Sequence, residues 1–163
     1  MDTNDQLSSA IQEQLAAYFE HLAARIGRYA RSLPPDKLWV KPLPFGNSVG
    51  HLIVHLTGSL NHFIGAGIAG TGYIRNRPAE FSDATGRNSD ELLAAFNDTI
   101  KIVLQALRSQ GSIGLMTPVT FGETPVQNRF GMFLVCAARI SNHIGQMAYL
   151  MHAHGFGSDE KTW

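Results

Sequence analysis

Hydrophobic residues recur along this chain at intervals of three and four, the period that places an apolar stripe on one face of an α-helix. The first run holds Leu7, Ile11, Leu15, Tyr18, Leu22, Ile26, Tyr29 and Leu33, with Gln, Glu and Arg between them, and stops at Pro34-Pro35. It predicts a helix over residues 5–33. Val49, Leu52, Ile53, Leu56, Leu60 and Phe63 predict a second over 48–64, with Asn47 or Ser48 as its N-cap. Leu93, Phe96, Ile100, Val103 and Leu107 predict a third over 89–109, opened by Asn88 with Glu91 three residues on. The fourth stripe is Phe130, Phe133, Ala137, Ile140, Ile144, Met147 and Met151, for a helix over 125–154. Its expected start is Thr124 as cap, Pro125 in the first helical position and Gln127 reaching back to the Thr124 amide; Gly155 ends it.

Four amphipathic helices with no strand pattern predict an all-α fold, a four-helix bundle forming one domain over residues 1–163. The connections after the second and third helices are long, which admits a crossover topology. The stretch from Gly65 to Arg87 is too long for a plain turn and is expected to be functional or partly helical. Its charges Arg75, Arg77 and Glu80 read in two ways. Either they are solvated, or Arg77 and Glu80 pair with each other or with a helix end and pin the loop over the bundle.

Composition narrows the function. With 44% hydrophobic and 16% charged residues, the chain can bury enough surface to offset its ordering entropy. Lys plus Arg and Asp plus Glu balance at 13 each, so there is no basic excess to wrap nucleic acid or to bind an anionic lipid surface. A single cysteine, Cys136, precludes a disulfide within the chain and reads as a small core residue. The acidic, polar start lacks the pattern of a signal peptide, and a cytoplasmic location is expected. Wide helix stripes leave a homodimer open.

The chemistry lies in polar residues set beside the apolar stripes. Helical spacing aligns His51, His55, Gly58 and His62 on the second helix, and Arg139, His143, Gln146 and Leu150 on the fourth. Both rows should face the interior or its mouth. Any one of these histidines reads as a satisfied core or rim residue. Several on one stripe are harder to explain by packing, since a buried imidazole needs a partner at each nitrogen. A divalent metal would supply one. His62 reads as a rim residue, His21 as solvated, and His152 and His154 as complements to the dipole at the end of the fourth helix. No phosphate-binding glycine loop, nucleophile elbow or paired-cysteine motif is present.

Three segments add to this. Asn47-Ser48-Val49-Gly50-His51-Leu52-Ile53-Val54-His55-Leu56-Thr57-Gly58 is similar to an N-S-I-G-x-L-x-x-H-L-x-G helix. Arg75-Asn76-Arg77-Pro78-Ala79-Glu80-Phe81 is similar to R-x-R-x-x-E-F, and His143-Ile144-Gly145-Gln146 to the end of H-x-x-x-H-x-G-Q. Together they resemble the DinB/YfiT-like superfamily of metal-associated four-helix bundles. The resemblance implies a divalent metal, zinc or nickel, held by one histidine of the second helix and two of the fourth. His55 matches the first and His143 the last, but the middle position is Arg139, which has no lone pair for a metal and repels a cation. Two arrangements remain open: His51 becomes the third ligand while Arg139 points away, or Arg139 replaces the metal with a fixed charge for an anionic ligand. Gln146 would orient a ligand or a neighbouring side chain. The resemblance thus implies a thiol-dependent transferase or a metal-dependent hydrolase acting on a small, anionic or thiol ligand. The alternative is a metal-free anion-binding or interaction bundle.

Overall fold

The structure is a computed structural model that describes residues 3–82, 86–120 and 125–157. Six α-helices are found there: α1 (Thr3–Ser32), α2 (Val49–Leu60), α3 (Arg77–Ser82), α4 (Ser89–Arg108), α5 (Ser112–Met116) and α6 (Arg129–Ala153). The four long ones, α1, α2, α4 and α6, are the expected bundle. The described residues contain no strand, only an isolated antiparallel bridge between Pro118 and Asn128.

Local chemistry sets the helix starts. Ser48 caps α2 by accepting from the His51 amide. Asn88 and Glu91 form a capping box at the head of α4, each side chain accepting from the other residue's backbone N–H. The fourth long helix begins later than expected, at Arg129 rather than 125. The Val119 amide donates to the Gln127 carbonyl and the Arg129 amide to the Thr117 carbonyl, which holds the preceding residues extended against 117–119. Asn128 then caps α6 through the Gly131 amide at 2.9 Å. Thr124 lies outside the described residues. At the other end, Gly155 has φ of 84°, the left-handed stop expected of it.

The helix begun at Val49 ends close to the expected Ile64, but not as a regular α-helix. It finishes as a π-helical turn, Asn61–Ala66, in which the Asn61 amide reaches both the Thr57 carbonyl and the Thr99 hydroxyl of α4. π-turns often accompany functional sites.

Going round the bundle, the order is α1, α4, α2, α6, with α1 and α2 on one diagonal and α4 and α6 on the other. Val54 and Thr57 lie alongside Leu92 and Ala95, and Asn61 meets Thr99, so α2 and α4 run in the same direction. Parallel neighbours need a long connection between them, and residues 67–88 supply it. The core is one cluster with a Phe19, Phe96 and Phe133 centre, closed by Leu22, Ile26, Leu56 and Ile140. The seam between α2 and α6 is the sparsest of the four.

Two connections are tied together at the head of α2. The Trp39 indole N–H donates to the Arg87 carbonyl at 2.8 Å, and the ring lies edge-on to His51. A Cβ at Gly50 would sit 3.0 Å from this indole, so only glycine lets the ring lie that close. No helix among the described residues is long and apolar enough to cross a membrane.

Candidate functional site

The loop after α2 returns to the bundle through a carboxylate. Glu80, on α3, is 4% exposed and sits against Gly58 of α2, where any Cβ would collide with the Glu80 carboxylate. Gly58 is therefore the notch that receives it. Both carboxylate oxygens are used. Arg75 Nε donates to Oε1 at 2.6 Å and Arg75 Nη2 to Oε2 at 2.8 Å, while His55 Nδ1 lies 2.8 Å from Oε2. Burial pushes the Glu80 carboxyl up, but its bonds to Arg75 and His55 outweigh that and hold it below its ordinary value. It is therefore a carboxylate, which can only accept, so the hydrogen of the His55 ring sits on Nδ1. Arg75 Nη2, 3.3 Å from Nδ1, then faces a donor and acts on the ring by charge alone. Burial, together with the charges of His143 and Arg75, lowers the His55 pKa despite Glu80. His55 is neutral, with its lone pair on Nε2.

The His55 and His143 rings meet edge to face, with centroids 5.1 Å apart. His143 Nδ1 lies 2.9 Å from Gln146 Oε1, an amide oxygen, so this ring also carries its hydrogen on Nδ1. No hydrogen bond engages either Nε2 among the described residues. One turn along, Arg139 Nη1 donates to Ser59 Oγ at 3.0 Å, and its guanidinium lies over the Phe63 ring, 4.9 Å from the centroid. Stepping four residues forward on α2, from His55 to Ser59, means stepping four back on α6, from His143 to Arg139. The two helices are antiparallel, and these pairs are successive rungs, roughly 6 Å apart at 1.5 Å per residue.

The sequence-derived candidates thus separate. His55, His143, Gln146 and Arg139 share the α2–α6 seam. His51 does not join them: Ser48 Oγ is 2.6 Å from its Nδ1, and Trp39 covers its ring. The pinning reading of the loop holds, with Arg75 instead of Arg77 as the partner of Glu80; Arg77 lies over Phe81, 5.7 Å from the ring centroid. Glu80 as the residue that orients His55 was not foreseen. The signal for it was Gly58, a missing side chain one turn after His55 on a row that should be filled. His62 is half-buried, edge-on to Phe63, and its pKa is lowered by burial and by Arg75. Cys136 is inert, since burial pushes its thiol up to about 12.

A three-ligand metal centre does not fit this donor set. Two imidazoles stand side by side, but the third position carries a guanidinium, Glu80 has spent both oxygens, and Arg75 adds a second positive charge. Among the described residues no group of three His, Cys, Asp or Glu side chains stands together in a way that could hold a metal ion.

The family model of the DinB superfamily matches residues 13–147. A solved DinB-like protein from Bacillus cereus ATCC 10987 superimposes with a TM-score of 0.72 at 14% sequence identity, over 93% of this chain and 97% of that one. No curated protein matches. The match to residues 13–147 spans most of the molecule, from within α1 through the α6 histidine, and the chain belongs to the DinB superfamily.

Proposed function

We propose that the α2–α6 seam binds a small acid bearing a thiol or hydroxyl, and that His55 takes the proton from that group without a resident metal. The observation that carries this reading is Arg139. It stands one rung from the histidine pair, is half-buried on an aromatic face, and has no acidic partner among the described residues. A guanidinium so placed favours a carboxylate. The neighbouring Nε2 lone pairs accept from an S–H or O–H. Transfer breaks that bond, forms N–H on His55 Nε2 and leaves the electron pair on sulfur or oxygen. The imidazolium so formed faces Glu80 through Nδ1, and the new anion faces Arg139. Glu80 thereby orients the base, as a carboxylate does for histidine in hydrolytic triads.

Mercaptoacetate is the simplest probe that carries both groups. Titrated into protein with ¹⁵N-labelled histidines, it should move the His55 Nε2 resonance, and Arg139→Ala should weaken its binding about tenfold, the loss of one charge-assisted pair. Equal binding by wild type and Arg139→Ala, or no response at His55, overturns the reading.

A second reading has one observation in its favour. Both imidazoles present Nε2 with Nδ1 backed by an oxygen, the arrangement metal-binding histidines adopt. A divalent ion on this pair, supporting thiol-dependent transfer or hydrolysis, would stabilise the wild type against heat in proportion to free Zn²⁺ or Ni²⁺. The metal-free reading expects that response only from Arg139→His, where a third imidazole is supplied. Stoichiometric metal in the purified wild type would decide for the second reading.

A further inference from the structure

The rungs of the α2–α6 seam continue beyond the histidine pair. Past His143 towards the end of α6, the groove opens into a cleft of about 600 Å³ between α6, the head of α2 and the connection that precedes it. Its apolar walls are Leu43, Phe45, Leu52, Tyr149 and Leu150. Phe45 is 71% exposed and Tyr149 65% exposed, two aromatic rings held at the rim of an open cleft. Single exposed apolar residues are ordinary, whereas aromatics gathered round a concave surface mark a binding site.

The cleft adjoins the proposed acid site at Gln146. Gln146 belongs to both: its Oε1 fixes the His143 tautomer, and the same side chain lines the cleft. Asn142 and Asn47 line it too, and neither side chain has a hydrogen-bond partner among the described residues. From Leu52 to Ser59 along α2 is seven residues, roughly 10 Å at 1.5 Å each. Along the α2–α6 seam the order is therefore an apolar cleft, the two imidazoles and a guanidinium.

We propose that this cleft is the specificity pocket of the site, taking the aliphatic or aryl arm of the acid whose thiol or hydroxyl meets His55 and whose carboxylate meets Arg139. This rests on the reading given above. The ligand class is an amphiphilic 2-mercapto or 2-hydroxy acid with an arm long enough to pass Gln146. Arms carrying an amide are favoured over plain hydrocarbons of the same length, because Asn47 and Asn142 each offer a donor and an acceptor.

Gly145 gives a clean test. It faces the cleft, and a Cβ there meets nothing within 4 Å. A larger side chain fills the cleft without disturbing the helix. The affinities of mercaptoacetate and 2-mercapto-4-phenylbutanoate are compared by calorimetry on wild type, Gly145→Phe and Arg139→Ala. The expected result is at least tenfold tighter binding of the phenyl acid by wild type. The ratio should fall to near one in Gly145→Phe, and both acids should weaken in Arg139→Ala. Equal affinity of the two acids for wild type, with the His55 response intact, overturns the pocket and leaves the acid site standing. Tight binding of the phenyl acid that Arg139→Ala does not weaken also overturns it, as the cleft would then act alone. Failure of both acids to bind overturns the acid site and the pocket with it.

Discussion

The α1–α4 side of the bundle and the α2–α6 seam are built from helices of the same kind, yet they differ in what they bury. On α4 the inward row is apolar except for Thr99, which is spent on its own helix and on Asn61. On α2 the inward row includes His51, His55, Ser59 and a glycine. The first face gains stability from every position. The second carries polar groups that each require a partner: Ser59 finds Arg139 across the seam, but the two histidines are served from outside the two helices, by Glu80 from the loop and by Ser48 and Trp39 from the preceding connection. Polar residues inside a packed stripe therefore mark where the rest of the chain must fold back, and here that is where the chemistry lies.

Substitutions should separate the two sides. The largest effect is expected on the apolar side: Phe96→Ala, at a fully buried position, should cost about 3–5 kcal/mol in denaturant unfolding while leaving the His55 ring resonances in place. Movement of those resonances would show that the two sides are not independent. Glu80→Ala should cost about 3 kcal/mol, since it strands Arg75 and empties the notch at Gly58. Unlike Phe96→Ala, it should also release the Nδ1–H tautomer of His55, visible in ¹⁵N spectra, and speed proteolysis between residues 65 and 82. An unchanged tautomer would remove Glu80 from the site.

Acid should act on the seam first. Burial, then His143 and Arg75, hold the folded His55 below its ordinary 6.5, so the unfolded chain binds a proton that the folded one refuses. Its stability contribution is complete above pH 6.5 and declines as pH falls from there towards the folded value. Glu80 is pushed up by burial but pulled lower still by Arg75 and His55, so its contribution declines only as pH falls below 4.5. Two stages in a stability–pH curve are expected, and His55→Gln should shrink the upper one to the part contributed by His62. A curve flat from pH 7 to 5 in the wild type would contradict the first stage. The smallest effect belongs to the other side: Asn88→Ala, which breaks the α4 capping box, should cost about 1 kcal/mol with no pH signature near 6.5.

The long helices were legible because periodicity is local and each stripe repeats many times. Ser48, Asn88 and Gly155 were legible because capping chemistry acts within three residues. The start of α6 was not: Pro125 and Gln127 fit a helix start well, and what holds residues 125–128 extended is a pairing with 117–119 that leaves no periodic trace. The pairing of His55 with His143 came from the resemblance to the DinB/YfiT-like motifs; stripe geometry turned both rows inward but did not say which rungs would meet. The choice of Arg75 over Arg77 as partner of Glu80 was not legible, because they lie five and three residues before it, both within reach, and only the fold of the loop decides which guanidinium arrives. His51 shows the same limit. Its stripe position equals that of His55, and it is Trp39, distant along the helix axis from Glu80, that sets its surroundings.

The Trp39 contact gives the molecule a fluorescent reporter of its own. The indole that donates to the Arg87 carbonyl also abuts His51, so one chromophore touches both the connection before α2 and the loop that carries Glu80. Detachment of that loop exposes the indole N–H to water and shifts its emission to longer wavelength. With Trp163 replaced by Phe, so that Trp39 alone emits, release of the loop by Glu80→Ala can be read optically and without a label.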